Sequence, residues 1–175
     1  PPWIKIQWEE GDVMGDAEPL FVLRKYSAPQ LSELRTEALR KYDLVGGYLA
    51  AYEEAVATQN SLNGLQNYPL LVGMQTNLYK CFLEKSLFVS SPQGIIGLIT
   101  RDGIYNDPRG QRLRQTLYQR LRRYFAFRNE LQLFDILHTR RFDIHIMGNP
   151  NKEIDFEMIV NLFHPSTIDQ CYESD

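Results

Sequence analysis

The hydrophobic period of this chain changes twice between Leu78 and Arg112, and those changes predict its central elements. Tyr79, Phe82, Leu83 and Leu87 recur at helical spacing, which gives a helix one apolar face. Gly94 punctuates the run. Ile95-Ile96-Gly97-Leu98-Ile99 then shows no alternation, the pattern of a central parallel strand covered on both faces. A polar loop follows and opens another helix. A helix feeding a doubly covered strand, then a second helix, is the repeating unit of an open α/β sheet. Ligands of such sheets bind beyond the carboxyl ends of the strands, so Thr100, Arg101, Asp102 and Tyr105 are the first place to look for chemistry.

The flanking stretches are read in the same way. Pro1-Pro2-Trp3 opens an extended segment, because each proline biases its predecessor toward β or polyproline geometry. Residues 9–18, with two glycines among acidic side chains, read as a loop. Ser27-Ala-Pro-Gln30 matches a capping box with Pro29 in the first turn. Leu31, Leu34, Ala38 and Tyr42 mark one helix. Val45, Tyr48, Leu49, Tyr52 and Val56 mark a second, or its continuation past Gly46-Gly47. Residues 19–68 thus predict a helical insertion. Downstream, Leu113, Leu117, Leu121 and Tyr124 or Phe125 give a helix stripe, and 131–137 reads as a strand. Arg141 to Met147 alternates strictly, as a half-buried antiparallel strand would. Asp155 to Leu162 fits either a strand or a short helix, and the tail fades into polar residues.

Composition narrows the function classes. The 175 residues make one domain with enough chain for a real core. Net charge is only −3, but seven arginines and no acid lie between Arg109 and Arg128. That run fits either an anionic partner or, more commonly, a solvated helix face. Two distant cysteines make neither a disulfide framework nor a metal site, which points to a reducing, cytoplasmic setting. No segment has transmembrane length and no signal peptide is present. His138, His145 and His164 lack ligand-like spacing, and His145 reads as a surface or satisfied strand residue. Neither a glycine-rich phosphate loop nor a nucleophile elbow occurs. The chain starts abruptly, without methionine, and reads as a piece of something longer.

One motif remains. Pro1-Pro2-Trp3 resembles the end of the Asn-Pro-Pro-aromatic motif of S-adenosylmethionine-dependent methyltransferases that modify the exocyclic amino group of adenine in DNA. The stretch LYKCFLEKSLFVSSPQGIIGLITRDGIYNDPRGQRLRQTL resembles that family's order of aromatic-rich helix, Pro/Gly break, apolar strand and loop into an Arg-Leu-Arg helix. FAFRNELQLFD and RRFDIHIM are similar to its last two strands. The likeness covers residues 1–5 and about 70–150, and is greatest to the large methylases of restriction–modification and phage-defence systems.

The resemblance implies an α/β fold, a partial Rossmann-like methyltransferase sheet comprising the end of the family's fourth strand and its fifth to seventh, interrupted by the helical insertion. It implies Pro1, Pro2 and Trp3 as catalytic residues, with Trp3 stacking on an adenine flipped from the duplex. Arg101, Tyr105, Arg109 and Arg112 are the expected DNA contacts. The asparagine, the glycine-rich turn for S-adenosylmethionine and the ribose-binding acid would all lie before residue 1. The chain alone is therefore expected to bind the cofactor very weakly, to catalyse nothing, and to self-associate or dock other domains through exposed sheet edges. Two other readings stay open: a non-catalytic nucleic-acid or protein-binding module that keeps half of the fold, and a methylase of glutamine or RNA.

Overall fold

A computed structural model describes residues 8–75 and 77–173. The Pro1-Pro2-Trp3 motif lies outside the described residues. The chain forms two compact units, residues 8–62 and the remainder from 63 onward.

The first unit is helical, with α1 (Glu10–Met14), α2 (Leu20–Leu23), α3 (Ala28–Lys41) and α4 (Val45–Asn63), whose last residue belongs to the second unit. Residues 9–18, read as a loop, contain α1. Acidic Glu10 and Asp12 suit the positive end of its dipole, and Met14, completely buried, makes the turn worth forming. Met14, Phe21 and Ala38 form the core, closed by Leu31, Leu34, Leu39 and Tyr48. Trp8 meets Tyr48 and Tyr52 edge-on at 5.5 and 5.4 Å. Glu10 accepts from the Tyr48 hydroxyl at 2.6 Å and pairs with Arg35 at 2.7 Å. The capping box forms as expected, with the Ser27 amide donating to Gln30 Oε1 at 3.0 Å. Asp43, at φ 53°, breaks α3 from α4, so Gly46-Gly47 lies inside α4 and not at the break.

The second unit is mixed α/β. Its elements are α5 (Leu78–Val89), β1 (Ile96–Arg101), α6 (Gln111–Arg120), β2 (Leu121–Arg128), β3 (Arg141–Met147), β4 (Glu157–Leu162) and α7 (Ser166–Glu173). The four strands form an open sheet in the order β1-β3-β2-β4. β3 is antiparallel to both β1 and β2, as its alternation predicts, whereas β2 and β4 are parallel.

Three expectations are corrected. β1 is not a central parallel strand: among the described residues it is an edge strand, antiparallel to its one partner. Ile96 and Thr100 are 8% and 2% exposed, but Ile95 and Ile99 are 69% and 41% exposed. The apolar run is covered on one face only, so the absence of alternation did not report double coverage. Leu121 to Phe125 continues no helix. The chain leaves α6 at Arg120 directly into β2, with Leu121 extended at ψ 136°. Leu121, Phe125 and Phe127 are buried there, and the aromatic residues prefer the pleated surface. Residues 131–137 form no strand. A short 3-10 turn at Asn129–Leu131 leads into a loop held by Asn129, whose amide donates to the Phe134 and Ile136 carbonyls and accepts the Phe134 N–H, all at 3.0 Å.

The register defines the two faces of the sheet. Phe125, Phe127, Phe142 and Leu162 form the core of one, with Phe134 and Ile168 over it. Thr100, His145, Asp143 and Tyr124 lie on the other.

Candidate functional site

The loop after β1 carries the residues singled out above. Leu98, Thr100, Asp143, His145 and Tyr124 share one sheet face by register, so the polar members of three strands converge. Thr100 Oγ1 lies 2.8 Å from His145 Nε2, and the Tyr105 hydroxyl lies 3.2 Å from Nδ1. A neutral imidazole has one donor and one acceptor, and the two hydroxyls rotate to complement whichever tautomer is present. Burial pushes the His145 pKa down to about 4, so the ring is neutral at pH 7. Beside it, Asp143 is 2% exposed, and burial raises its carboxyl to about 7 against the opposing hydrogen bond from Tyr124. Burial likewise raises the Tyr105 and Tyr124 phenols, which stay protonated.

Two clefts flank this network. The Tyr105 ring stacks on Tyr118 at 5.4 Å, and Tyr118 on Phe156 at 6.2 Å, along an apolar cleft of about 490 Å³ that Tyr124, Leu121 and Met158 also line. A polar cleft of about 410 Å³ opens at the carboxyl end of β1, between Asn77, Tyr79, Lys80, Arg101, Asp102 and Asn106. Its floor is a buried ion pair: Lys80 Nζ reaches Asp107 Oδ2 at 2.9 Å. Burial works against the Asp107 charge, but the bonds from Lys80 and from the Arg109 amide hold its carboxyl below the ordinary value. Lys80→Ala would strand that carboxylate, and an expected loss of about 3 kcal/mol follows from the cost of breaking a buried pair. Urea denaturation measures it; a loss under about 0.5 kcal/mol would mean that Asp107 is solvated.

Comparison with known proteins finds no matching family model, no similar curated protein and no similar solved structure.

The predicted residues separate. Arg101 lines the polar cleft, and Tyr105 lines the apolar one with its hydroxyl turned inward to His145. Arg109 bonds the Gly73 carbonyl at 3.4 Å, and Arg112 is exposed on α6. Much of the arginine run supports the fold. Arg114 donates to the Asp107 carbonyl, and Arg122 to the Asn149 carbonyl and Asn151 Oδ1. Arg123 pairs with Glu157 at 2.8 Å and lies 4.4 Å above the Tyr172 ring. Sequence reasoning missed Asp143 and Tyr124. In a strictly alternating strand, Asp143 and His145 look like the solvent face, yet both are buried. The tyrosines at 105, 118 and 124 were the available signal, since each can cover a polar strand residue while supplying a hydroxyl.

Among the described residues there is no group of three or more metal-ligating side chains, and no helix long and apolar enough to cross a membrane.

Proposed function

We propose that this chain is the target-side half of an S-adenosylmethionine-dependent methyltransferase acting on the exocyclic amino group of adenine in DNA, with the Rossmann-like sheet continued by residues upstream. The observation that carries this reading is the strand arrangement. β3, the last strand of the resemblance, lies between β1 and β2 and is antiparallel to both, while the polar cleft opens at the carboxyl end of β1. A strand joining the free edge of β1 would end beside that cleft, where a flipped base and its donor must meet.

The described residues do not themselves fit the cofactor. Among the described residues no glycine-rich turn opens a helix after a strand. What the chain supplies is orientation. Arg101 is a cationic group at the cleft mouth, Asn106 offers amide donors and acceptors, and the Thr100–His145–Tyr105 network holds the strand end and loop rigid.

The test is methyl transfer to double-stranded DNA by a protein that also carries the upstream asparagine and glycine-rich turn. Trp3→Ala should lower the rate about 5- to 150-fold, the kinetic equivalent of the roughly 1–3 kcal/mol that base stacking is worth. Trp3→Phe should keep a good part of the rate, because any flat ring stacks. Alanine as active as the native residue would make Trp3 a packing residue. Absence of methyl transfer in the native protein, with DNA binding intact, would favour the non-catalytic nucleic-acid module.

A further inference from the structure

Outside the conspicuous run, three further arginines gather at one end of the sheet. Because β3 is antiparallel to β1, its first residue, Arg141, stands at the carboxyl end of β1, one residue before Phe142, the register partner of Arg101. Arg140 precedes it. Together with Ile136 and Leu137 these three arginines line a cleft of about 260 Å³ that has no carboxylate in its wall. Among the described residues, neither Arg140 nor Arg141 makes an ion pair, and Arg101 approaches only Asp102, at a loose 3.9 Å. Across the sheet end, Arg128 is in register with Arg141 and reaches Glu130 at 3.6 Å.

We propose that Arg101, Arg140 and Arg141 form a phosphodiester-binding site that grips the backbone of a DNA strand next to the polar cleft. Three guanidinium groups around one small concavity repel one another, and an anion between them removes that repulsion. The guanidinium fork matches phosphate oxygens with paired N–H donors, which an ammonium does not. Exposed Leu137, with Ile136, supplies an apolar wall against which a sugar edge can lie. Arg101 lines both this cleft and the polar one, so a phosphate here places the adjoining nucleotide at the mouth of the polar cleft. The choice of DNA as the source of the phosphodiester rests on the methyltransferase reading above; the site itself rests on the arginines.

The experiment is fluorescence anisotropy of this chain with a labelled DNA duplex of about 20 base pairs, titrated between about 50 and 200 mM KCl. Arg140→Gln/Arg141→Gln should weaken binding at least tenfold and flatten the slope of log K against log salt by about 1, since the one phosphate held in the cleft contributes about 0.9. Arg140→Lys/Arg141→Lys should keep the slope and lose part of the affinity, which separates lost charge from lost geometry and from misfolding. Arg40→Gln, at an exposed position of α3, should leave both quantities nearly unchanged. Native affinity and slope in the double Gln variant would overturn the site, as would a native chain that does not bind the duplex at 50 mM salt, or one that prefers an RNA duplex. The methyltransferase reading is decided separately, by methyl transfer in the longer protein. A site that passes while methyl transfer fails leaves a DNA-binding module.

Discussion

Asp143→Asn is expected to stabilise the fold at pH 8, by as much as about 4 kcal/mol. The folded-state pKa of Asp143 is raised from 3.8 to about 7 because the carboxyl is buried, with Asp102 adding to the effect and Tyr124 opposing it. A raised carboxyl is protonated in the fold and ionised in the unfolded chain between those two values. Its contribution is therefore complete below the unfolded pKa and is lost as pH rises through the folded one. Three units at about 1.4 kcal/mol each give the size of the effect. Asparagine resembles the protonated acid, keeps an acceptor for Tyr124 and never has to be ionised. His145 has the opposite sign. Its folded pKa is lowered from 6.5 to about 4, so its contribution is present above the unfolded value and lost as pH falls toward the folded one. Between about pH 4 and 6.5 the two slopes nearly cancel in the native chain. The variant removes one of them, so its stability should rise over that interval, where native stability stays flat. Urea denaturation followed by circular dichroism at pH 4.5, 6 and 8 measures both effects. A variant less stable than the native chain at pH 8 would mean that Asp143 is ionised and well paired in the fold.

Phe127→Ala is expected to cost about 3–5 kcal/mol, a large share of the stability of a domain this size. The ring is 1% exposed and stacks on Phe142 with centroids 5.0 Å apart and planes 3° from parallel. Phe134 meets Phe142 edge-on at 4.8 Å, so one substitution disturbs a three-ring contact and leaves a cavity under α7 and the 131–140 loop. Phe127→Leu, which keeps most of the volume, should cost clearly less. Equilibrium denaturation of both variants reads the difference. Equal, small losses would mean that this face of the sheet is loosely packed.

Local chemistry was legible in the residues themselves. The Ser27–Gln30 capping box, the two long helices of the first unit, the helical spacing of Tyr79, Leu83 and Leu87, and the antiparallel character of β3 are properties of a few neighbouring side chains, and each appears where those side chains place it. What the rest of the chain puts against a segment was not legible. The Ile95–Ile99 run carries no record of which edge or face a neighbour will cover, so an edge strand reads like a central one. Leu113, Leu117, Leu121 and Phe125 fit a 3.6-residue period, while Leu121, Phe125 and Phe127 also fit a strand face. Only pairing with β3 and β4 decided where the helix stops. Asp143 and His145 alternate like a solvent face, and only tyrosines brought against His145 from two other segments, Tyr105 and Tyr124, helped to make that face an interior one. The same holds for the arginines. A run in sequence is spread along a helix and a strand, with Arg114, Arg122 and Arg123 held by local acceptors, whereas Arg101 and Arg141, forty residues apart, meet because antiparallel pairing sets the end of β1 beside the start of β3. Short-range preferences act within a turn or a strand, but a binding site needs charges brought together across the sheet, and that juxtaposition exists only once the sheet has formed.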